Sequence, residues 1–367
     1  MQKPEKLLLG PGPCNISPRV REALGRPMIG HMDPEFLQTM EECKTRLKSV
    51  FRTTNRITFP VSGTGSAGME FLLLNFLEPG DKMVVGVNGV FGTRMANLAD
   101  KLGVDVLRVQ APWGEAVPLD AMLEAIRSHR PKIAAVVCGE TSTGVYQRVD
   151  GLSEAVHEVG GLLALDCVTA LVGMPVEIDA WGVDLVFSGT QKCLACPPGL
   201  SPVSLSERAR ETYLSRKSKV PSFYFDLSEI LAYVDGEGGR SYHHTAPISM
   251  VTALNEALAE VLEEGLETRH ARHADAAKYL IERFQPLGFE PLVPKNDRLN
   301  PLTTFRLPEG FEEAPIRQAL LRDHHIEIGA GLGPLAGKIW RIGLMGQNAR
   351  RDRVDRLMDA LSACGVG

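Results

Sequence analysis

The chain has 367 residues, 44% of them hydrophobic and 23% charged, with a net charge of −5. That supplies apolar material for a large core and two domains, and the mixed signs exclude the basic field of a nucleic-acid or membrane binder. No apolar run reaches membrane-spanning length.

Seven cysteines (Cys14, Cys43, Cys138, Cys167, Cys193, Cys196 and Cys364) are scattered and odd in number, which suits a reducing cytosol better than a disulfide framework. Cys193 and Cys196 have C-x-x-C spacing, but no second pair and no nearby His pair completes a zinc site, so no metal is expected. No signal peptide opens the chain, and its last residues, Cys364-Gly-Val-Gly, are not a peroxisomal address. A soluble cytoplasmic protein is expected.

Residues 1–20 contain LLLGPGPCNISP, too rich in Gly and Pro for a helix or a central strand. They read as an extended arm lying across a partner or over a pocket, or as an irregular lead-in. Phe36, Met40, Cys43, Leu47, Val50 and Phe51 recur at helical spacing and predict a helix over Pro34–Phe51. A short apolar run, a Gly-rich turn and an apolar helix follow, ending at Pro79-Gly80. The turn, Gly63-Thr64-Gly65-Ser66-Ala67-Gly68, matches the dinucleotide fingerprint by letter. That fingerprint also wants an acid at the end of the next strand, and KMVVGVN ends on Asn88 instead. What survives is its physical core, bare N–H groups at a helix start that can hold a phosphate, or a plain tight turn.

Beyond Asn88-Gly89-Val90-Phe91-Gly92-Thr93-Arg94 another helix is expected, with Phe91 either over an aromatic ligand or in the core. Residues 102–110 read as an edge strand, 119–129 as a helix, and PKIAAVVCGETSTGVYQ as a buried strand ending in a polar turn. Thr141, Ser142 and Thr143 in that turn can donate hydroxyl hydrogen bonds to a ligand or simply close an ST-turn. After a helix at 151–160 come LLALD, ending on Asp166, and VDLVFSGTQK, leading to Lys192. Both read as short buried parallel strands. Ligands of an open α/β sheet sit beyond the carboxyl ends of its strands. A carboxylate and a lysine delivered there suit pyridoxal phosphate, whose aldehyde takes a lysine and whose ring nitrogen takes an aspartate. The same pair also fits a helix-cap Asp and a surface Lys.

A further strand follows Lys192. Residues 216–245 read as aromatic and irregular, and Ile248–His273 as one long helix. From about 275 the pattern becomes α+β, with strands at FEPLV and LTTFRL, a helix at 314–323 and a last helix at the end. Residues 331–338 invite a phosphate-loop reading, but the Gly-to-Gly-Lys spacing is wrong and Ile339 stands where Ser or Thr belongs. Arg341, in the strand KIWRIGL, suits a carboxylate gripped by its planar fork, or solvent.

Taken in order, LLLGPGP, MIGHM (28–32), SGTGS, LEPGD, VNGVFG, GETSTGV, LALD, SGTQK with the following PPG, SYHHT and IEIGAGLGPLAGKIWRIGLMG resemble the class V pyridoxal-phosphate aminotransferases, and within them the alanine–glyoxylate / serine–pyruvate aminotransferase family. The resemblance covers nearly the whole chain. It implies an α/β protein of fold type I, with a mainly parallel seven-stranded sheet between helices and a smaller α+β C-terminal domain. On that basis the arm is 1–20, the large cofactor-binding domain 21–262 and the small domain 263–367.

By the same resemblance, Lys192 would be the Schiff-base lysine and proton shuttle, and Asp166 would pair with the ring nitrogen, with Val168 packed under the ring. Thr64, Gly65 and Gln191 would hold the phosphate, Ser66 and Phe91 would border the cofactor, and Thr141 would bond near the ring's phenolic oxygen. Tyr242 and Thr245 would reach the phosphate of the other subunit of a homodimer. Arg341 and Gly12 would bind the substrate. The activity implied is ping-pong transfer of an amino group from L-alanine or L-serine to glyoxylate, with serine–glyoxylate or ureidoglycine–glyoxylate exchange as rivals. Animal members carry Trp at Phe91 and His at Ser66, which leaves the exact substrate open. A cysteine desulfurase shares fold and cofactor but needs a reactive cysteine on a mobile loop of the second domain, and only Cys364 lies beyond residue 200.

Overall fold

A computed structural model describes residues 5–235 and 241–367. In chain order its strands are β1 (Leu7–Leu9), β2 (Ile57–Ser62), β3 (Lys82–Val87), β4 (Asp105–Gln110), β5 (Ile133–Val137), β6 (Gly139–Glu140), β7 (Val145–Tyr146), β8 (Leu162–Asp166), β9 (Leu185–Phe187), β10 (Leu200–Leu205), β11 (Glu290–Pro291), β12 (Leu302–Arg306), β13 (Ile326–Ala330) and β14 (Ile339–Gly343).

The larger sheet has seven strands in the order β2-β10-β9-β8-β5-β3-β4. Its neighbours are parallel from β9 through β4, and β10 runs against both β9 and β2. Every residue of β5 (IAAVV) and β8 (LLALD) is buried, which is why these strands read as unbroken apolar runs and not as alternating ones. Helix Pro34–Phe51 packs on β2, helix Gly65–Phe76 on β9 and β10, helices Val90–Lys101 and Leu119–His129 on β3 and β4, and helix Leu152–Glu158 on β8. β2, β3, β5, β8 and β9 all end at one edge of the sheet, and the strand ends, turns and helix starts there deliver residues 63–66, 88–94, 139–144, 166–168 and 188–192 to it.

A second sheet, in the order β1-β13-β14-β12-β11, has its own aromatic core. Phe284 stacks on Phe305 at 4.7 Å and Phe289 on Trp340 at 5.2 Å between ring centroids. Leu7 and Leu9 of β1 join this core, because β1 pairs with β13, Leu7 opposite Ile326 and Leu9 opposite Ile328. The Gly-Pro segment after β1 then runs back over the carboxyl edge of the large sheet, where Cys14 N–H donates to the Gln191 carbonyl at 3.1 Å.

A partly buried charge network ties the two bodies together. Arg269 donates to the Cys193 carbonyl at 2.7 Å and to Glu264 at 2.6 Å, and Arg272 donates to Glu264 and to the carbonyls of Gly346 and Ala349. His273 Nδ1 donates to the Arg269 carbonyl while Nε2 accepts the Gly346 N–H. Burial, with Arg269 beside it, pushes His273 down to about 3, so the ring stays neutral and in this tautomer.

Several elements differ from the expectation. The helix placed beyond Arg94 begins at Val90, so Phe91 sits in its first turn. Residues 216–245, of which 236–240 lie outside the described residues, include a helix, Leu227–Val234, capped by the Asp226 carboxylate accepting from Ser228 N–H at 3.0 Å. Of FEPLV only Glu290–Pro291 pairs as strand. The single helix 248–273 is two helices, Ile248–Glu264 and Leu266–Phe284, broken at Gly265. Apolar periodicity runs straight through that residue, whereas its backbone sits at φ 83°, ψ 138°, a region that L side chains avoid.

Replacing Gly265 by Ala tests that break. A Cβ there would meet nothing closer than Thr268 Oγ1 at 3.9 Å, so the cost is backbone strain alone. We expect Gly265→Ala to lower unfolding stability by about 1–3 kcal/mol, read by urea denaturation. An unchanged midpoint would mean that the junction relaxes freely.

Candidate active site

The site forms where the carboxyl ends of β5, β8 and β9 lie side by side. Val137 is opposite Asp166, and Asp166 is opposite Phe187, so the loops beyond them share one edge. The loop from Ser188 to Gly199 is fixed by its own hydrogen bonds. Ser188 Oγ donates to the Cys167 carbonyl at 3.1 Å, Thr190 Oγ1 to the Pro197 carbonyl at 2.6 Å, and Ala195 N–H to the Lys192 carbonyl at 2.9 Å. Lys192 therefore starts from a rigid backbone.

The Lys192 side chain is 8% exposed, and its ammonium donates to the Pro11 carbonyl. Burial pulls its pKa down to about 8, with Arg341 adding in the same direction and Asp166 opposing. An amine at about 8 has a substantial neutral fraction near neutral pH, which a nucleophile or proton carrier needs. Gly12 explains how the N-terminal segment comes so close. A Cβ on Gly12 would lie 2.6 Å from Lys192 Cδ and 2.7 Å from Nζ, and its φ of +99° is itself one that favours glycine.

Asp166 ends β8 at 2% exposure, and its Oδ1 accepts the Val168 N–H at 2.9 Å. Burial pushes this carboxyl up to about 7; the Val168 bond opposes that, Glu140 adds to it, and Lys192 and Arg94 pull it down. A carboxylate in so dry a place is stabilised by a cationic N–H donor at short range.

Arg341 does not face solvent. It is 7% exposed, with Nε donating to the Ala330 carbonyl at 2.7 Å and Nη1 to the Thr141 carbonyl at 3.2 Å. Those two carbonyls hold the guanidinium between β13 and the turn after β6, and its charge adds to the lowering of the Lys192 pKa.

The donor set fits pyridoxal phosphate. At the anion end, Thr64 is the N-cap of helix Gly65–Phe76 with no side-chain cap bond, and the first turn carries no acid, so the leading N–H groups face outward. A Cβ on Gly65 would come within 2.9 Å of Val168 Cγ2, so glycine is what lets Val168 lie against this turn. The Gln191 side-chain oxygen is buried without a partner, and an amide turned over presents its NH2 to an anion in the same place. Asp166, Val168, Thr141 and Phe91 would be the residues to border the ring of such a group. Arg94 lies 4.8 Å over the Phe91 ring and donates to Ser66 Oγ at 3.1 Å.

Tyr242 and Thr245 are placed differently. Both are exposed, bonded to each other at 3.1 Å, with His31 5.1 Å from the Tyr242 ring. Within this chain they are not bonded to Lys192, Asp166 or the Gly63–Ser66 turn. Glu140 and Arg94 also belong to this region, though no motif singles them out. Glu140, the one carboxylate in GETSTGV, is fully buried, and that position within the stretch is the only signal it gives. Among the described residues no group of three or more His, Cys, Asp or Glu could hold a metal ion, and all seven cysteines are free.

Comparison with known proteins agrees with this geometry. The family described as Aminotransferase class-V matches residues 19–356. An alanine–glyoxylate aminotransferase of Felis catus is 41% identical over 98% of this chain and 87% of its own. The crystal structure of an alanine–glyoxylate aminotransferase from Nostoc sp. superposes with a TM-score of 0.96 at 45% identity, covering 99% of this chain and 96% of the other. That of a ureidoglycine–glyoxylate aminotransferase from Bacillus subtilis gives 0.96 at 34%, covering 99% and 93%.

The raised Asp166 pKa makes a prediction for the cofactor-free protein. The folded pKa (about 7) exceeds the unfolded value (3.8), so folding favours the protonated form. The contribution is whole below pH 4 and is lost as pH rises to about 7, a change of about 4 kcal/mol at most. Asp166→Asn cannot ionise. Urea unfolding of both cofactor-free proteins should show the variant gaining on the parent between pH 4 and 7, and an equal gap at pH 4 and pH 8 would contradict the assignment.

Proposed function

The chain belongs to the class-V aminotransferases, and from that premise we propose that it moves the amino group of L-alanine, or of L-serine, to glyoxylate, releasing pyruvate or hydroxypyruvate and glycine. It is a transaminase, and pyridoxal phosphate is the cofactor its family implies. The observation that carries the reading is one arrangement: a near-neutral buried amine, a buried carboxyl and a buried guanidinium meeting at one sheet edge beside an uncapped helix N-terminus.

Bound pyridoxal phosphate supplies an electron sink for the carbon that loses its proton. The protein's own residues do the rest. Lys192 Nζ would hold the cofactor, and as a buried amine of lowered pKa it is the group that would take the substrate's α-proton and return it. Asp166 would pair with the ring N–H, a cationic partner that would favour its ionised form and hold that nitrogen protonated. Thr64, Gly65 and Gln191 would hold the phosphate through N–H donors, with Ser66 beside them, and Thr141 would bond near the phenolic oxygen. Val168 and Phe91 would flank the ring. Arg341 takes the substrate carboxylate in its fork, with Gly12 leaving room beside Lys192. One carboxylate clamp serves both donor and acceptor, so the two bind in turn, which gives ping-pong kinetics.

Glyoxylate as acceptor is favoured by the similarity to both alanine–glyoxylate and ureidoglycine–glyoxylate enzymes. The second of these, with serine–glyoxylate exchange, is the alternative reading of the donor. Desulfuration is disfavoured because Cys364, the one cysteine beyond 200, follows the last helix, Arg351–Ala363.

The enzyme is proposed to work as a homodimer, with Tyr242 and Thr245 reaching the partner's cofactor phosphate. Exposed apolar side chains support this: Met28, Phe223, Tyr224 and Tyr242 are among the large apolar groups that lie open to solvent in this chain. The free cysteines suit a reducing compartment, and the proposed location is the cytoplasm. No helix among the described residues is long and apolar enough to cross a membrane.

The test is the visible absorption of purified protein. The cofactor band should bleach with L-alanine or L-serine and return with glyoxylate, identifying the donor in the same titration. A protein that stays colourless with added pyridoxal phosphate would end the reading. Lys192→Ala should abolish turnover, and Arg341→Ala should raise KM for amino and oxo acid alike by on the order of tenfold to a hundredfold; unchanged KM values would remove Arg341 from the substrate.

A further inference from the structure

Glu140 is fully buried, and its carboxylate accepts four hydrogen bonds and donates none. Oε1 accepts from Ser142 N–H at 3.0 Å and from Ser142 Oγ–H at 2.6 Å, while Oε2 accepts from Phe91 N–H at 2.8 Å and from Gly92 N–H at 3.3 Å. Ser142 Oγ in turn accepts from Val90 N–H at 2.9 Å. The first three N–H groups of helix Val90–Lys101 therefore all end on the Glu140–Ser142 pair. That helix has no acid in its own first turn and no side-chain cap, because its N-cap is Gly89. Glycine is needed there, since a Cβ would lie 2.4 Å from Glu140 Cγ and 2.5 Å from Ser142 Oγ. A remote carboxylate has taken over the capping of this helix, with the helix dipole in its favour.

The turn that carries Glu140 also reaches the second sheet. The Glu140 carbonyl accepts Gly144 N–H at 2.8 Å, the Thr143 carbonyl accepts Thr304 Oγ1 at 2.7 Å from β12, and the Thr141 carbonyl accepts Arg341 Nη1 at 3.2 Å from β14. One buried anion thus sits between the backbone of Phe91 and the backbone that orients Arg341.

We propose that Glu140 is a positioning residue of the transamination site, holding the Phe91 ring and the Arg341 fork in one fixed frame through the Ser142 and Thr141 turn. It touches neither substrate nor cofactor; it acts through the groups that do. Phe91 keeps its angle only while its N–H is pinned at the first helical turn, and Arg341 keeps its reach only while the Thr141 carbonyl stays in place. The carboxylate is acceptor-only, which is what its four donors require. A neutral amide cannot replace it, since its NH2 would face the two Ser142 donors or the helix N–H groups.

This inference rests on the aminotransferase reading, and the experiment separates the two. Parent, Glu140→Gln and Ser142→Ala proteins are compared by pyridoxal phosphate titration of the cofactor-free form, circular dichroism of the bound cofactor's visible band, and KM and kcat for donor and acceptor. If the parent neither binds the cofactor nor transaminates, the functional reading fails. With an active parent, Glu140→Gln should raise the cofactor Kd by on the order of tenfold to a hundredfold, alter the visible dichroism, and raise KM for both substrates. A Glu140→Gln protein that melts earlier yet keeps its cofactor Kd, dichroism and KM values would make Glu140 merely structural and overturn the proposal. Should that variant not fold, Ser142→Ala decides. It removes one link of the same chain, and it should move the same three readouts by several-fold; unchanged readouts would again overturn the proposal.

Discussion

The rest of the site depends on keeping water away from two groups that must still change charge. Lys192 and Asp166 are nearly sealed, and burial moves them towards each other on the pH scale, the amine down to about 8 and the carboxyl up to about 7. A charge in such a place costs several kcal/mol unless it has a partner, so the fold must supply or admit one. It does so with a sheet whose central strands are buried on both faces, which lets backbone hydrogen bonds alone fix where each chain end emerges. Tight positioning and poor solvation are two results of the same architecture.

The second body contributes what the large sheet cannot. Arg341 arrives on β14, and the Arg269–Glu264–Arg272 cluster links the carbonyl after Lys192 to the Gly346–Ala349 turn. Buried ion pairs add little net stability over an apolar contact, but they specify geometry, because a shift of either partner strands a charge. The cleft between the bodies is therefore held in register by directional bonds where an apolar seam would permit sliding.

Much of this was legible in the sequence, and the illegible part has a common cause. Strands β5, β8 and β9 announced themselves as short apolar runs, and Asp166 and Lys192 stood at their ends, because strand order and polarity are local signals. Gly265 misled because apolar spacing continues on both sides of it and a backbone angle leaves no trace in that spacing. Arg341 looked undecided between solvent and an anion; the carbonyls of Ala330 and Thr141 that bury it belong to other segments. Glu140 was hidden most completely. Its four donors come from Ser142, close by, and from Phe91 and Gly92, 49 and 48 residues away, so nothing nearby distinguishes it from any polar turn residue. Contacts distant along the chain carry no periodicity.

The pairing of β1 with β13 has a consequence for how the enzyme is made. Residues 10–14, which wall in Lys192, are anchored by Leu7–Leu9, and those three residues find their strand partner only at Ile326–Ile328. A ribosome must therefore deliver almost the entire chain before the first few residues can take their place. Until then the large sheet can form with its lysine facing an open groove. Closure of the Gly-Pro segment over Lys192 thus depends on a strand made more than 300 residues later.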